Sequence, residues 1–395
     1  MRPLDGTLVL DFTRVLSGPY CTMQLADLGA RVIKIEQPGL GDDTRRWGPP
    51  FVGGESAYFL SINRNKESVT LDLKQPEARR VLGPLIDRAD VVVENFRPGT
   101  IERLGFGHER LLARNPRLVY CSISGFGQTG PRASEPGYDA VMQAEAGLMS
   151  ITGPEDGPPF RLGVAIADMA TGLYAAQGIL AALIARARTG TGQFIDIAMF
   201  DSVAAMLTYQ AGIFFSDGTV PRRLGNRHPS ISPYDVFRAA DGEFVLAVGN
   251  DEQFRRLCAI MGQPALADDP RYKTNEARVE HVGSLKEILD RFFAPMTREE
   301  LVRTLTAAGV PSGSVRSVAE VLEDPQIAAR AMVVPLAHAT AGDIAVLGTP
   351  LKFSATAAGV RTPPPLLGQH TDAILANDVG LSEEEIARLR AKGAI

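Results

Sequence analysis

The chain has 395 residues, 45% hydrophobic and 22% charged, a balance that excludes a largely disordered polypeptide. At about 100–200 residues per domain, the length predicts two to three domains. Lys plus Arg number 41 against 46 Asp plus Glu, for a net charge of −5. That excludes a general nucleic-acid-binding surface, although a local basic pocket for a phosphate remains open.

Cys21, Cys121 and Cys258 lie far apart, and so do His108, His228, His281, His338 and His370. No pair has metal-ligand spacing, and an odd cysteine count does not suggest a disulfide framework, so no metal is expected. The N-terminus has no apolar signal-peptide core, and no run of about 20 apolar residues is evident. A cytoplasmic protein without a membrane partner is therefore expected.

The apolar run TLVLDF at 7–12 predicts a buried strand. A helix from Pro19 to Gly29 follows, then a strand RVIKIE at 31–36. The pattern continues with a helix over Pro76–Ala89, a strand DVVVE at 90–94, a helix over 100–114 and a strand at 117–123. Alternation of this kind predicts a parallel α/β sheet. The Gly-, Pro- and acid-rich segment 150–161 reads as a loop. From Met169 a run of small apolar residues predicts a closely packed helix ending at Gly190 and Gly192, and FIDIAMF at 194–200 predicts another strand. The irregular stretch 216–233 marks a domain boundary, after which EFVLAVG at 243–249 begins a new mixed unit that ends near Pro325. A strand-rich section and a charged helix over Ser382–Lys392 close the chain.

Gly125-Phe-Gly-Gln-Thr-Gly130 fits the dinucleotide fingerprint, and Glu36 ends a strand where a ribose-binding acid would sit. The context fails. The glycines should open a helix, yet PRASEPGYD follows, with two prolines and a glycine. The glycines read instead as a tight turn, suited to passing over a ligand.

Asp168 stands alone among small and apolar residues at the start of the long helix. One reading is an N-cap, worth about 1 kcal/mol. The other is a nucleophile held ionised by the helix N-terminus, with free N–H groups available to an oxyanion. Ala165, Ala167, Ala170 and Gly172 leave room for a bulky substrate.

Nine ordered blocks settle which family the chain resembles. They are PLDGTLVLDFTRVLSGP (3–19), LADLGARVIKIEQPGLGDDTR (25–45), NRNKESVTLDLK (63–74), ADVVVENFRPG (89–99), SISGFGQTGP (122–131), PGYDAVMQA (136–144), TGQFIDIAMFD (191–201), GVPSGSV (309–315) and LLGQHTD (366–372). Together they resemble the family III CoA-transferases, the CaiB/BaiF group, over essentially the whole length. The resemblance implies an α/β fold with a Rossmann-like large domain over 1–200 and 326–395, a linker over 201–224, and a smaller α/β domain over 225–325. It also implies an interlocked homodimer.

The resemblance further implies that Asp168 is the catalytic nucleophile. CoA or acyl-CoA would be a substrate, with no permanently bound cofactor. CoA contacts are implied at Leu16, Ser17, Leu71, Lys74, Asn95, Phe96, Arg97, Arg103 and Leu104, with Tyr138 and Asp139 beside the active site. Arg97 and Arg103 suit the nucleotide phosphates. Gln37 and Pro136 depart from the family, standing where relatives carry basic residues. The racemase branch of the family carries a histidine where this chain has Tyr138, and a phenol with a reference pKa near 10 is a poor substitute for that base. Transfer is therefore expected, with 2-methylacyl-CoA racemisation as the alternative. Asn226, Arg227 and His228 resemble a block of dicarboxylate-specific relatives, so they are expected to touch substrate, with Arg227 suited to a second carboxylate. Succinyl-CoA is the expected donor and a small, dicarboxylic acid the expected acceptor.

Overall fold

The computed structural model describes residues 1–395. The chain forms two compact units: residues 1–148, 162–211 and 325–395 in the larger, and 149–161 with 212–324 in the smaller.

The larger unit is built on six parallel strands: β1 (Leu8–Asp11), β2 (Arg31–Glu36), β3 (Lys66–Thr70), β4 (Val91–Glu94), β5 (Val119–Ser124) and β6 (Phe194–Ala198). Their spatial order is β3-β2-β1-β4-β5-β6. Chain direction across the sheet therefore reverses between β1 and β4, which opens a crevice at the carboxyl ends of those two strands. Side chains alternate between two cores, as a period of two requires. Leu8, Leu10, Ile33 and Val92 join one core with Val81, Leu82 and Leu85 of the Pro76–Arg88 helix. Val9, Val32, Val91, Val93 and Val119 join the other, against Leu25 and Ala26 of the Ser17–Asp27 helix and Ala175 and Ile179 of the Ile166–Thr189 helix. Because helices cover both faces, the central strands β1 (LVLD) and β4 (VVVE) are short apolar runs.

The structure departs from the expected elements in identifiable places. The 100–114 helix is two helices, Thr100–Leu104 and His108–Arg114, because Gly105 turns the chain with φ +90°. Within the 63–74 block Lys66–Thr70 is strand, and Lys74 lies in the turn before the Pro76–Arg88 helix. The segment expected as a linker over 201–224 contains most of the Met199–Ala205 helix and all of Thr208–Asp217. The expectation that no segment is apolar enough to span a bilayer also needs correction. The 24-residue helix Ile166–Thr189 meets that test by length and composition, with a mean hydropathy of 1.3. In the larger unit its small residues pack against the Ser17–Asp27 helix and the sheet, and half of its most apolar window is buried.

The smaller unit has an antiparallel sheet of Ser312–Ser314, Gly242–Ala247 and Tyr234–Ala239. Helices Asp251–Ile260, Val282–Phe293 and Arg298–Ala307 enclose a core that includes Phe237, Phe244, Phe254 and Phe293. The fully buried Arg278 ties this unit together. Its guanidinium donates to the carbonyls of Ser232 (2.7 Å) and Tyr272 (2.9 Å) and pairs with Asp251 at 2.8 Å.

Candidate functional site

A cavity of about 420 Å³ lies in the larger unit at the carboxyl ends of β1, β4 and β5. The turn after β1 supplies Arg14, Val15 and Ser17, the loop after β4 supplies Asn95, Phe96, Arg97 and Pro98, and Ser124 and Gly125 follow from β5. Trp47, Pro136, Gly137, Tyr138 and Asp168 also line it.

The turn after β1 is held in a costly shape. Val15 has φ +70°, a region that a β-branched residue rarely enters. Its amide donates to Asp42 Oδ1 at 3.1 Å, and Arg14 exchanges two hydrogen bonds with Asn95, at 2.9 and 2.8 Å. Beneath it the buried Lys34 ammonium donates to the Thr13 carbonyl at 2.7 Å and pairs with Asp42 at 2.8 Å. These bonds over-determine the strained turn, as persistence of such a conformation requires. The helix that starts at Ser17 is thereby placed beside Asp168, whose carboxyl the Ser17 hydroxyl and amide pull toward the ionised form.

Asp168 is the third residue of the Ile166–Thr189 helix and does not cap it. The cap comes from Asp139, whose Oδ1 accepts the amides of Ala167 at 2.8 Å and Asp168 at 3.4 Å. Its other oxygen accepts from the Gln143 side chain at 2.7 Å. Two expectations are corrected here. The first-turn N–H groups are occupied by Asp139, so they are not free for an oxyanion. Nor is Asp168 held firmly ionised: burial, and then the negative charge of Asp139, push its carboxyl up to about 7, against the downward pull of Ser17. Such an acid is ionised in part at neutral pH and is more basic than an ordinary carboxylate. That combination suits a nucleophile.

Close approach of the two helices depends on Gly172, one turn beyond Asp168. A Cβ there would lie 2.6 Å from the Ser17 carbonyl oxygen. Gly125 and Gly137 make a second close contact in the cavity wall, where a Cβ on Gly125 would stand 2.9 Å from the Gly137 nitrogen. The glycine loop thus serves close backbone packing, and it opens no helix: the next one begins at Asp139. Tyr58 completes the surroundings. Its phenol is pushed up to about 12, by burial first and then by the charge of Asp168 and Asp139, and its ring meets Trp47 edge-on at 5.2 Å.

Residues 4–371 match the model of CoA-transferase family III. The chain belongs to that family. Mouse (Mus musculus) succinyl-CoA:glutarate CoA-transferase is 44% identical over 395 residues, spanning 100% of this chain and 91% of the relative. The succinate–glutarate CoA-transferase of Agrobacterium fabrum (strain C58) is 46% identical over 380 residues, covering 95% of each. Among solved structures, a CaiB/BaiF family protein from Brucella suis superposes with a TM-score of 0.86 at 44% identity, over 95% of this chain and 99% of that one.

In this family III chain, Ser17, Asn95, Phe96, Arg97, Tyr138 and Asp168 line the larger cavity, with Asp139 just behind Asp168. Leu71, Lys74, Phe96 and Leu104 line a second one of about 140 Å³. Arg14 and Phe96 border both, so the two adjoin. Leu16 is buried with Met23 and Ile62 and faces neither. Arg103 also lies outside both: it is exposed, and its guanidinium donates to Thr100 at 3.0 Å. Asn226, Arg227 and His228 belong to the smaller unit. There Arg227 and Arg222 share Glu155, at 3.2 and 3.4 Å. His228 Nδ1 accepts the Ser230 amide at 3.1 Å, and burial lowers the pKa of its ring.

Sequence reasoning missed Arg14, Trp47, Tyr58 and the specific need for Gly172. Gly172 was legible in principle, since residues four apart share a helix face. Tyr58 carried no such signal, because only the fold brings the Ala57–Ile62 helix to Asp168.

Proposed function

We propose that this chain transfers CoA between succinyl-CoA and a small dicarboxylic acid, glutarate foremost, with Asp168 as the covalent nucleophile. The observation that carries the reading is a buried carboxyl at the wall of a cavity of about 420 Å³, beside Ser17 and raised to about 7. The names of the mouse and Agrobacterium relatives support the substrates. The Asp168 carboxylate attacks the thioester carbonyl, forming a mixed anhydride and expelling CoA thiolate. The thiolate attacks the aspartyl carbonyl, releasing succinate and leaving an enzyme–CoA thioester. The acceptor carboxylate then attacks that thioester and expels thiolate, which returns to the new acyl group and frees Asp168. Bond energy passes from thioester to anhydride and back, so the exchange needs no other energy source.

Arg97 is proposed for the CoA phosphates, and Arg227 for the distal carboxylate of the acid. Racemisation is disfavoured: Tyr138 occupies the position of the second acid/base group, and the named relatives are transferases. The dimer is proposed as well, supported by apolar side chains exposed along the long helix at Leu173, Tyr174 and Ile184. Intact-protein mass spectrometry after incubation with succinyl-CoA tests the chemistry. A CoA-sized adduct on the Asp168 peptide, discharged by hydroxylamine, is expected. An unmodified protein under conditions of measured exchange would refute the covalent route.

A further inference from the structure

Glu94, the last residue of β4, is a buried acid that the transfer chemistry does not use. One carboxylate oxygen accepts the Phe96 amide at 2.9 Å, and the other accepts the Ser122 hydroxyl. Ser122 in turn accepts from the Gln128 side-chain amide at 2.8 Å, while the Gln128 backbone amide donates to Asp196 Oδ2 at 2.9 Å. Phe96 borders both cavities, and Gln128 belongs to the glycine loop whose first residue, Gly125, lines the larger one. The chain Phe96–Glu94–Ser122–Gln128 thus links the loop that follows β4 to the loop that follows β5, through a single acid.

We propose that Glu94 is a positioning residue that couples the Asn95–Pro98 loop to the Gly125–Gly130 loop and so sets the acyl-CoA cleft. The inference rests on the CoA-transfer reading of the same cavity. Its physical basis is the charge on Glu94. An ionised carboxylate accepts both the Ser122 hydroxyl and the Phe96 amide as charge-assisted bonds. A protonated Glu94 has one O–H to donate, and of its two partners only the Ser122 hydroxyl oxygen can accept it. If it donates to Ser122, which already accepts from Gln128, the Ser122 hydroxyl proton loses its acceptor. Burial, and then the negative charges of Glu102 and Asp196, push the Glu94 carboxyl up to about 7 against the downward pull of its bonds to Ser122 and Phe96. The tie therefore tightens as pH rises through neutrality.

Succinyl-CoA binding to the full-length Asp168→Asn protein, which cannot turn over, tests this between pH 5.5 and 8.5, with and without Glu94→Gln. Titration of the CoA phosphate is common to both proteins and cancels in the ratio of dissociation constants. That ratio is expected to fall from about five at pH 8.5 to about one at pH 5.5. A ratio independent of pH would overturn the proposal and leave Glu94 a merely structural acid. Gln128→Ala, at the solvent end of the chain, is expected to weaken succinyl-CoA about threefold with an unchanged melting temperature. Unchanged affinity would overturn the link even if Glu94→Gln failed to fold. Absence of succinyl-CoA binding by the parent protein would refute the CoA-transfer reading itself and remove the basis for the coupling.

Discussion

The Asp139 carboxylate holds the backbone amide of Asp168 at 3.4 Å while its charge raises the Asp168 carboxyl. One residue thus both anchors Asp168 and adds to the basicity that burial gives it. The helix N-terminus, which would by itself favour a carboxylate on Asp168, is spent on Asp139.

This pairing gives a pH prediction. On the proposed covalent route only ionised Asp168 attacks, so log kcat/KM should rise with pH and level off near 7. Asp139→Asn keeps an acceptor for the amides but removes the like charge, so the acid limb should move to lower pH. Initial rates of glutarate-dependent succinyl-CoA consumption across pH 5–9 check this. An acid limb at the same pH in both enzymes would show that Asp168 does not govern it.

Asp168→Asn should abolish exchange yet stabilise the fold at alkaline pH. The folded pKa of about 7 lies above the ordinary 3.8, so the native state holds the proton more tightly than the unfolded chain. Stability then falls as pH climbs from about 4 to 7, and the cost is complete above that range. Removing the charge should recover about 1–4 kcal/mol at pH 8 and almost nothing at pH 4. Thermal denaturation of both proteins at the two pH values is the check.

Two glycines of the long helix should behave oppositely. Gly172→Ala drives a methyl to 2.6 Å from the Ser17 carbonyl, so the helices must separate and Ser17 must leave Asp168. A loss of about 1–3 kcal/mol is expected, with a fall in kcat of at least about tenfold. Gly178→Ala meets only Ile195 at 3.5 Å, an ordinary contact, and should stabilise the helix by about 0.5–1 kcal/mol with kcat retained. Denaturant titration and steady-state kinetics of the pair separate the two effects.

Arg97→Met should raise KM for succinyl-CoA about tenfold with little change in kcat, because phosphate contacts far from the reacting carbonyl bind ground and transition states alike. The same variant should flatten the salt dependence of KM. Arg227→Met should instead raise KM for glutarate. A matched rise for both substrates in either variant would contradict the division of roles between these two arginines.

The strand–helix alternation of the larger unit, the position of Asp168 beside a helix start and the family were all legible in the sequence. They depend on local apolar periodicity and on ordered motifs, which survive without coordinates. Helix breaks at Gly105 and the helices within 201–224 were not, because short segments with mixed periodicity are decided by what packs on them. Only the tertiary structure decided the protonation of Asp168. Burial and a like charge 29 residues away in sequence outweigh the helix terminus that lies beside it, since desolvation and Coulomb energies depend on distance in space. The sequence by itself determined the family and the place of Asp168 at a helix start; the fold determined the charge state in which that carboxyl is presented.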